Sequence, residues 1–268
     1  MIKKYRFLIA RRFTQLSIIA LYILANIYGI NILMGNLSNS LVLQTVNLSD
    51  PFAVLQMIFA GAIISFDIAL GALIISIFYF ILGGRAFCSW VCPVNIITDC
   101  ANYLRRVFKF DEVQKKQPAT RNLRYWLILI SFIISYFMGV AAFELISPVS
   151  MVHRGLIFGL GFGLATMIVI FLFDLFVLKN GWCGHICPLG GFYSLIGRFS
   201  LLRVHHNSEK CTACMKCKVV CPEIQVLHMI DKSSEPVLQE CTLCARCIEV
   251  CEDDALNFEL RNYMKEKK

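Results

Sequence analysis

The sequence predicts an all-α, four-helix transmembrane protein built from two parallel two-span repeats, followed by a small C-terminal α+β domain. Three observations predict it. Hydrophobic residues make up 57% of the 268 positions and charged residues 16%, where soluble chains carry about a quarter charged residues. The charge-poor positions gather in four long blocks. Eight of the thirteen cysteines lie in the last quarter of the chain. Together these exclude a disordered chain, a coiled coil and an ordinary soluble enzyme.

Residues 13–49 contain no Lys, Arg, Asp or Glu. Residues 51–84 contain one, Asp67; 125–143 contain none; 155–178 contain one, Asp174. A bilayer core takes about 20 apolar residues as a helix, and lipid offers the backbone no other hydrogen-bond partner. The expected spans are 14–35, 62–84, 125–143 and 157–178. Lys and Arg alternate between the flanking segments: five in 1–12, none in 36–51, eight in 85–124, and Arg154 alone in 144–155. This alternation predicts that both termini are cytoplasmic. The net charge of +8 is then a topology signal, not a sign of nucleic acid. Residues 1–203 carry 17 basic and 7 acidic side chains; residues 204–268 carry 9 and 11. The same division gives the expected domains, a membrane domain at 1–203 and a cysteine-rich domain at 204–268.

The membrane part repeats itself. Ser49-Asp50-Pro51 opens a run that ends at Cys88-Ser89-Trp90-Val91-Cys92-Pro93. Ser147-Pro148 opens one that ends at Cys183-Gly184-His185-Ile186-Cys187-Pro188. Two spans per half preserve orientation, so the repeat is parallel. The stretches after Pro51 and Pro148 predict short helices, with each proline in a first turn where no backbone donor is needed.

The cysteines divide into eight, four and one. Cys211, Cys214, Cys217 and Cys221 read C-x2-C-x2-C-x3-C, and Cys241, Cys244, Cys247 and Cys251 repeat that spacing. This is the two-cluster ferredoxin pattern, in which the fourth cysteine of each run serves the other cluster. It assigns Cys211, Cys214, Cys217 and Cys251 to one [4Fe–4S] cluster, and Cys241, Cys244, Cys247 and Cys221 to the second. Structural zinc also binds paired cysteines, but the doubled x2-x2-x3 spacing fits it poorly. A disulfide framework conflicts with a reducing cytoplasm. Short β-prone runs at Leu201–His205, Val226–Ile230, Pro236–Gln239 and Ala255–Leu260 flank the loops. A tail of this size has little core of its own, so bound metal supplies much of its folding energy. Asp253 and Asp254 beside Cys251 favour the oxidised cluster. Cys88, Cys92, Cys183 and Cys187 have three readings: ligands of a third iron–sulfur cluster, redox thiols, or buried free cysteines. A Cys-x3-Cys pair on a helix puts both thiols on one face. Cys100 reads as a plain buried cysteine.

These features together resemble the NapH family, ferredoxin-type membrane subunits of quinol dehydrogenases that serve periplasmic nitrate reductase. The resemblance covers nearly the whole chain, including Arg11-Arg12-Phe13-Thr14-Gln15-Leu16, and its motifs match at the twelve cysteines. Glu252 departs from it, standing where the first run has Pro222. MauN-like proteins of methylamine utilisation share the pattern. NosR-like proteins add an extracytoplasmic flavin domain and CcoG-like proteins a β-sandwich; neither is seen in this sequence. The resemblance implies a bacterial inner-membrane location and oxidation of menaquinol or ubiquinol at the outer face. It implies a periplasmic multicluster ferredoxin partner of the NapG kind, and beyond it a membrane-anchored cytochrome c or a periplasmic reductase. The competing class is an iron–sulfur assembly or regulatory protein of the MauN or CcoG kind, supplying electrons for cofactor maturation.

Quinol oxidation needs a proton acceptor. Asp67 lies 21 residues before Cys88, about 30 Å along a helix and so towards the outer side. An intramembrane carboxylate is a functional candidate. His153 borders the same face, and histidine titrates near neutral pH. The plain alternatives are an interfacial carboxylate and a headgroup-level histidine.

Overall fold

The computed structural model describes residues 5–29, 32–108, 122–159 and 161–261. Lys3, Lys4 and the basic residues between 109 and 121, used above for orientation, lie outside them. The chain begins with α1, Arg6–Tyr28, which stops before Gly29 in a left-handed conformation. Three short strands follow, β1 (Leu33–Gly35), β2 (Asn39–Val42) and β3 (Val46–Ser49), paired antiparallel in that order. Then come α2 (Pro51–Phe59), α3 (Phe66–Leu82), α4 (Ala86–Trp90), α5 (Val94–Val107), α6 (Leu123–Met138) and α7 (Ala142–Ile146). Next are α8 (Pro148–Phe158) and α9 (Gly161–Leu172), wide π-turns at Phe173–Val177 and Trp182–Ile186, and α10 (Pro188–Gly197). The tail holds β4 (Leu202–His206), α11 (Lys216–Val220), a 3-10 turn at Ile224–Leu227, α12 (Arg246–Val250) and β5 (Leu256–Leu260).

The expectation of an all-α, four-span protein is overturned. Among the described residues α1 is the one helix both long and apolar enough to cross a membrane. Its 23 residues reach about 34 Å. The helices in the other three blocks have 17, 16 and 12 residues, or about 26, 24 and 18 Å, short of a hydrocarbon core of ~30 Å. The physical reason lies in glycines at their ends. Gly83 and Gly139, at positive φ, close α3 and α6, and Gly159, also at positive φ, ends α8 inside the expected fourth span, so that α9 starts only at Gly161. The expected span 14–35 is broken the same way at Gly29, and the β1–β2–β3 meander takes the place of its last residues and of the loop expected at 36–51.

Two expected helix starts are present. Asp50 caps α2, its carboxylate accepting from the Ala53 N–H at 3.3 Å, and Pro51 sits in the first turn. Pro148 holds the same place in α8 after Ser147.

The chain divides into two compact units. One comprises residues 1–14, 78–91 and 193–268; the second comprises 15–77 and 92–192. In the second unit, Phe52 of α2 packs its ring against Phe132, Phe143 and Phe192. The fully buried Gln56 accepts from the Phe143 N–H at 2.9 Å and from the Ser135 hydroxyl at 3.4 Å, tying α2 to α6 and α7. Helices α8 and α9 meet at glycines: a Cβ on Gly163 would lie 2.7 Å from the Met151 carbonyl oxygen. In the first unit, β4 and β5 pair antiparallel from Leu202–Leu260 to His206–Leu256. Glu249 of α12 accepts the Phe7 and Leu8 N–H groups at 2.6 and 3.2 Å, an anion at the positive end of α1. Of the β-prone runs, the first and last form β4 and β5. Pro236 makes an isolated bridge to His205, and Val226 lies in the 3-10 turn.

Candidate iron–sulfur centres

The two cysteine runs fold alike. In each, the residues two and four places after the first cysteine are left-handed: Ala213 and Met215 in one, Leu243 and Ala245 in the other. None is glycine, and each such residue costs of order 1 kcal/mol unless its surroundings demand it. Alternating backbone hands of this kind turn successive N–H groups inward as an anion-binding nest. The Leu243 N–H donates to the Cys241 sulfur at 3.4 Å. A short helix follows each loop, α11 and α12, and ends at the fourth cysteine, Cys221 or Cys251.

Two cavities result. One is lined by Cys211, Cys214, Cys217 and Cys251, with Ile230 and Leu256 among its apolar walls. The second is lined by Cys221, Cys241, Cys244 and Cys247, with Val204 and Val237. Each takes three sulfurs from one run and the fourth from the other. Their surroundings differ. Cys214, Met215 and Lys216 are exposed, whereas Thr242, Leu243, Cys244 and Ala245 are buried. Burial, with neighbouring thiolates adding to it, pushes the Cys241 thiol up to about 12. Burial also raises Cys217, Cys221 and Cys247 above their ordinary value. Metal-free, these are neutral thiols, and iron must displace their protons on binding. Among the described residues, no three His, Cys, Asp or Glu side chains converge on a single-ion site. Four sulfurs spread around an apolar cavity suit a cubane, with one iron behind each sulfur. Bound there, such a group supplies one-electron chemistry.

The four remaining candidates are divided between the units. Cys88, on α4, is half-buried in the first unit. Cys92 and Cys187 are buried and Cys183 half-buried in the second. Neither pair lies on a continuous α-helix. Cys92 follows the end of α4, and Cys183 begins a π-turn that closes before Cys187. Pro93 and Pro188 then start new helices, α5 and α10. Asp174 braces the second motif: its carboxylate accepts from the Trp182 N–H at 3.1 Å. Cys100, expected buried, is exposed on α5.

Asp67 is exposed in the first turn of α3. His153 of α8 is 1% exposed, and among the described residues neither ring nitrogen has a hydrogen-bond partner. The Tyr22 ring stands edge-on to it at 4.6 Å. Burial, then the Arg154 charge, lowers His153 to about 4, so it is neutral at pH 7 and not poised near neutrality as its residue type suggested. Sequence reasoning missed Arg85, which donates from one nitrogen to Glu223 and to the Glu240 carbonyl, both at 2.8 Å. A lone arginine beside a Gly-Gly pair is weak evidence by itself. Its partner is 138 positions away.

Comparison with known proteins bears directly on these loops. A 4Fe-4S dicluster domain family matches residues 203–252. A 4Fe-4S binding domain family matches residues 54–111 and 160–205, the two segments that carry the Cys-x3-Cys-Pro motifs. The ferredoxin-type protein NapH of Haemophilus influenzae is 40% identical, over 96% of this chain and 90% of its own. NapH of Escherichia coli is 38% identical, over 97% and 91%. The methylamine utilization ferredoxin-type protein MauN of Paracoccus denitrificans is 41% identical, over 83% and 78%. No solved structure matches the chain. With its doubled cysteine loops and likeness along nearly its whole length, the chain belongs to the NapH/MauN family of ferredoxin-type 4Fe–4S proteins.

Proposed function

We propose that this protein is the membrane-associated electron-transfer subunit of a quinol dehydrogenase. Its tail carries two [4Fe–4S] clusters, one on Cys211, Cys214, Cys217 and Cys251, the second on Cys241, Cys244, Cys247 and Cys221. The observation that carries the reading is the exchange of fourth cysteines between two cavities otherwise walled by apolar side chains. Electrons drawn from menaquinol or ubiquinol go on to a periplasmic multicluster ferredoxin of the NapG kind and to a reductase, with nitrate reductase the first candidate. Membrane association is supported by α1 and by the broad exposed apolar faces of α3, α6 and α9, among them Leu73, Ile77, Ile133, Phe137 and Val169. Apolar surface on this scale marks a lipid or protein interface. Asp67 and His153 remain candidate proton acceptors for the quinol. A histidine held neutral can accept a hydrogen bond from a quinol hydroxyl.

Iron and labile-sulfide analysis of the purified full chain, with low-temperature EPR, tests the clusters. About eight irons per chain are expected from the tail, and more would place a third cluster on Cys88, Cys92, Cys183 and Cys187. Zinc in place of iron would overturn the reading. The similarity to MauN favours a second reading, in which the same clusters supply electrons for cofactor maturation. Quinol-dependent reduction of the EPR-active clusters separates the two: the dehydrogenase requires it.

A further inference from the structure

The two cavities are not electrostatic equivalents. At the cavity of Cys211, Cys214, Cys217 and Cys251 the nearby charges reach solvent: Asp253 is half-buried, and Lys216 and Glu252 are exposed. Asp253 lines it and accepts from the Thr212 hydroxyl at 2.6 Å, and Lys216 pairs with Glu252 at 2.8 Å on the surface. At the second cavity the charges are buried. Glu223 is 2% exposed and lines the cavity; Arg85 is 1% exposed and pairs with it at 2.8 Å. Gln225 bridges Glu223 and Glu240, donating to both carboxylates at 2.7 Å.

The segment carrying Arg85 also grips the ligand loop. Arg85 donates to the Glu240 carbonyl at 2.8 Å, Ser89 to the Thr242 carbonyl at 2.6 Å, and Trp90 to the Leu243 carbonyl at 3.1 Å. Three donors within six residues thus hold the carbonyls on both sides of Cys241.

We propose that Arg85 is a positioning residue for the cluster held by Cys221, Cys241, Cys244 and Cys247, and that its buried charge raises that cluster's reduction potential while leaving its neighbour's unchanged. This rests on the reading that the eight tail cysteines hold two clusters. Reduction adds one negative charge to whatever the cavity holds. A cation inside low-dielectric protein favours that charge far more than one in water does, and a buried anion opposes it. Arg85 and Glu223 therefore act with opposite sign on one cluster, while water screens the charges around the other.

The test is a potentiometric titration of the detergent-solubilised full chain, followed by EPR. Cys214→Ser alters one cluster's signal and so assigns the two. Arg85→Gln should lower the midpoint of the Cys214-insensitive signal alone, by at least tenfold in reduced fraction at fixed potential, about 59 mV for a one-electron couple. Glu223→Gln should raise the same midpoint. Opposed shifts distinguish a charge effect from structural loosening, which would move both variants the same way. Shifts in the Cys214-sensitive signal, or no shift, would overturn the proposal. If Arg85→Gln fails to hold iron, the direction of the Glu223→Gln shift decides. Wild-type protein without iron would instead sink the underlying cluster reading, before any variant is made.

Discussion

Gln56 is completely buried, yet both ends of its amide are used. It donates to the Phe52 carbonyl at 3.4 Å and accepts from Phe143 and Ser135. Gln56→Leu keeps the volume and leaves the Phe143 N–H without its acceptor. The expected loss is about 1–3 kcal/mol, read as a lowered thermal midpoint of the purified protein. His153 gives a pH signature. Its folded value of about 4 lies below the ordinary 6.5, so the unfolded chain binds more protons between those values. Stability should therefore fall as pH drops from about 6.5 towards 4, by of order 1–2 kcal/mol at pH 5. His153→Gln should flatten that slope, and an unchanged slope would rule the residue out as its source. The grouping of the eight tail cysteines around two cavities was legible at this scale because their spacing is local in the chain. Arg85 was not, because its burial depends on Glu223 in a distant stretch of chain. The neutrality of His153 was likewise hidden, since a side chain's residue type says nothing of its desolvation.

Glycines set the lengths of the elements. Composition identified the apolar blocks but not their breaks, because hydropathy averages over residues whose backbone hand reverses. Gly83, Gly139 and Gly159 take conformations that side-chain-bearing residues rarely adopt, and the expected spans fail there. The three-stranded meander was missed for a related reason: the first span was carried on to residue 35 and residues 36–51 were read as a loop, because neither charge nor hydropathy marks the short strands between them. Prolines had the opposite effect. Pro51 and Pro148 fix a first-turn geometry, and both helix starts were foreseen. Where α8 and α9 meet, Gly163 packs against the Met151 carbonyl and the Gly155 Cα. Gly163→Val should force the pair apart and cost about 1–3 kcal/mol. A variant as stable as the parent in thermal unfolding would show that the contact is slack.

At the scale of the whole molecule, the repeated cysteine motifs were readable, two segments of the chain matching one 4Fe-4S binding family, while the arrangement of chain segments was not. The compact unit that contains the tail also takes in residues 1–14 and 78–91, remote in sequence and joined only by folding. The split between a basic first part and an acidic tail survives as a fact of sequence. The exposed apolar faces lead to a fractionation result: the protein should stay with membranes through alkaline carbonate and leave only with detergent. Release by carbonate or salt would show that those faces cover a protein partner instead.

The exchange of fourth cysteines also bears on biogenesis. A nascent chain presents Cys211, Cys214, Cys217 and Cys221 first, yet those four line no common cavity. The set around Cys221 closes only when Cys247 has been made, and the set around Cys217 only with Cys251. Both centres thus reach their full ligand complement within the last few codons of the cysteine-rich stretch. If the eight cysteines hold two clusters as proposed, loading would be deferred until Cys247 and Cys251 have been made, and a chain stalled between the two loops would offer an iron donor only incomplete sites.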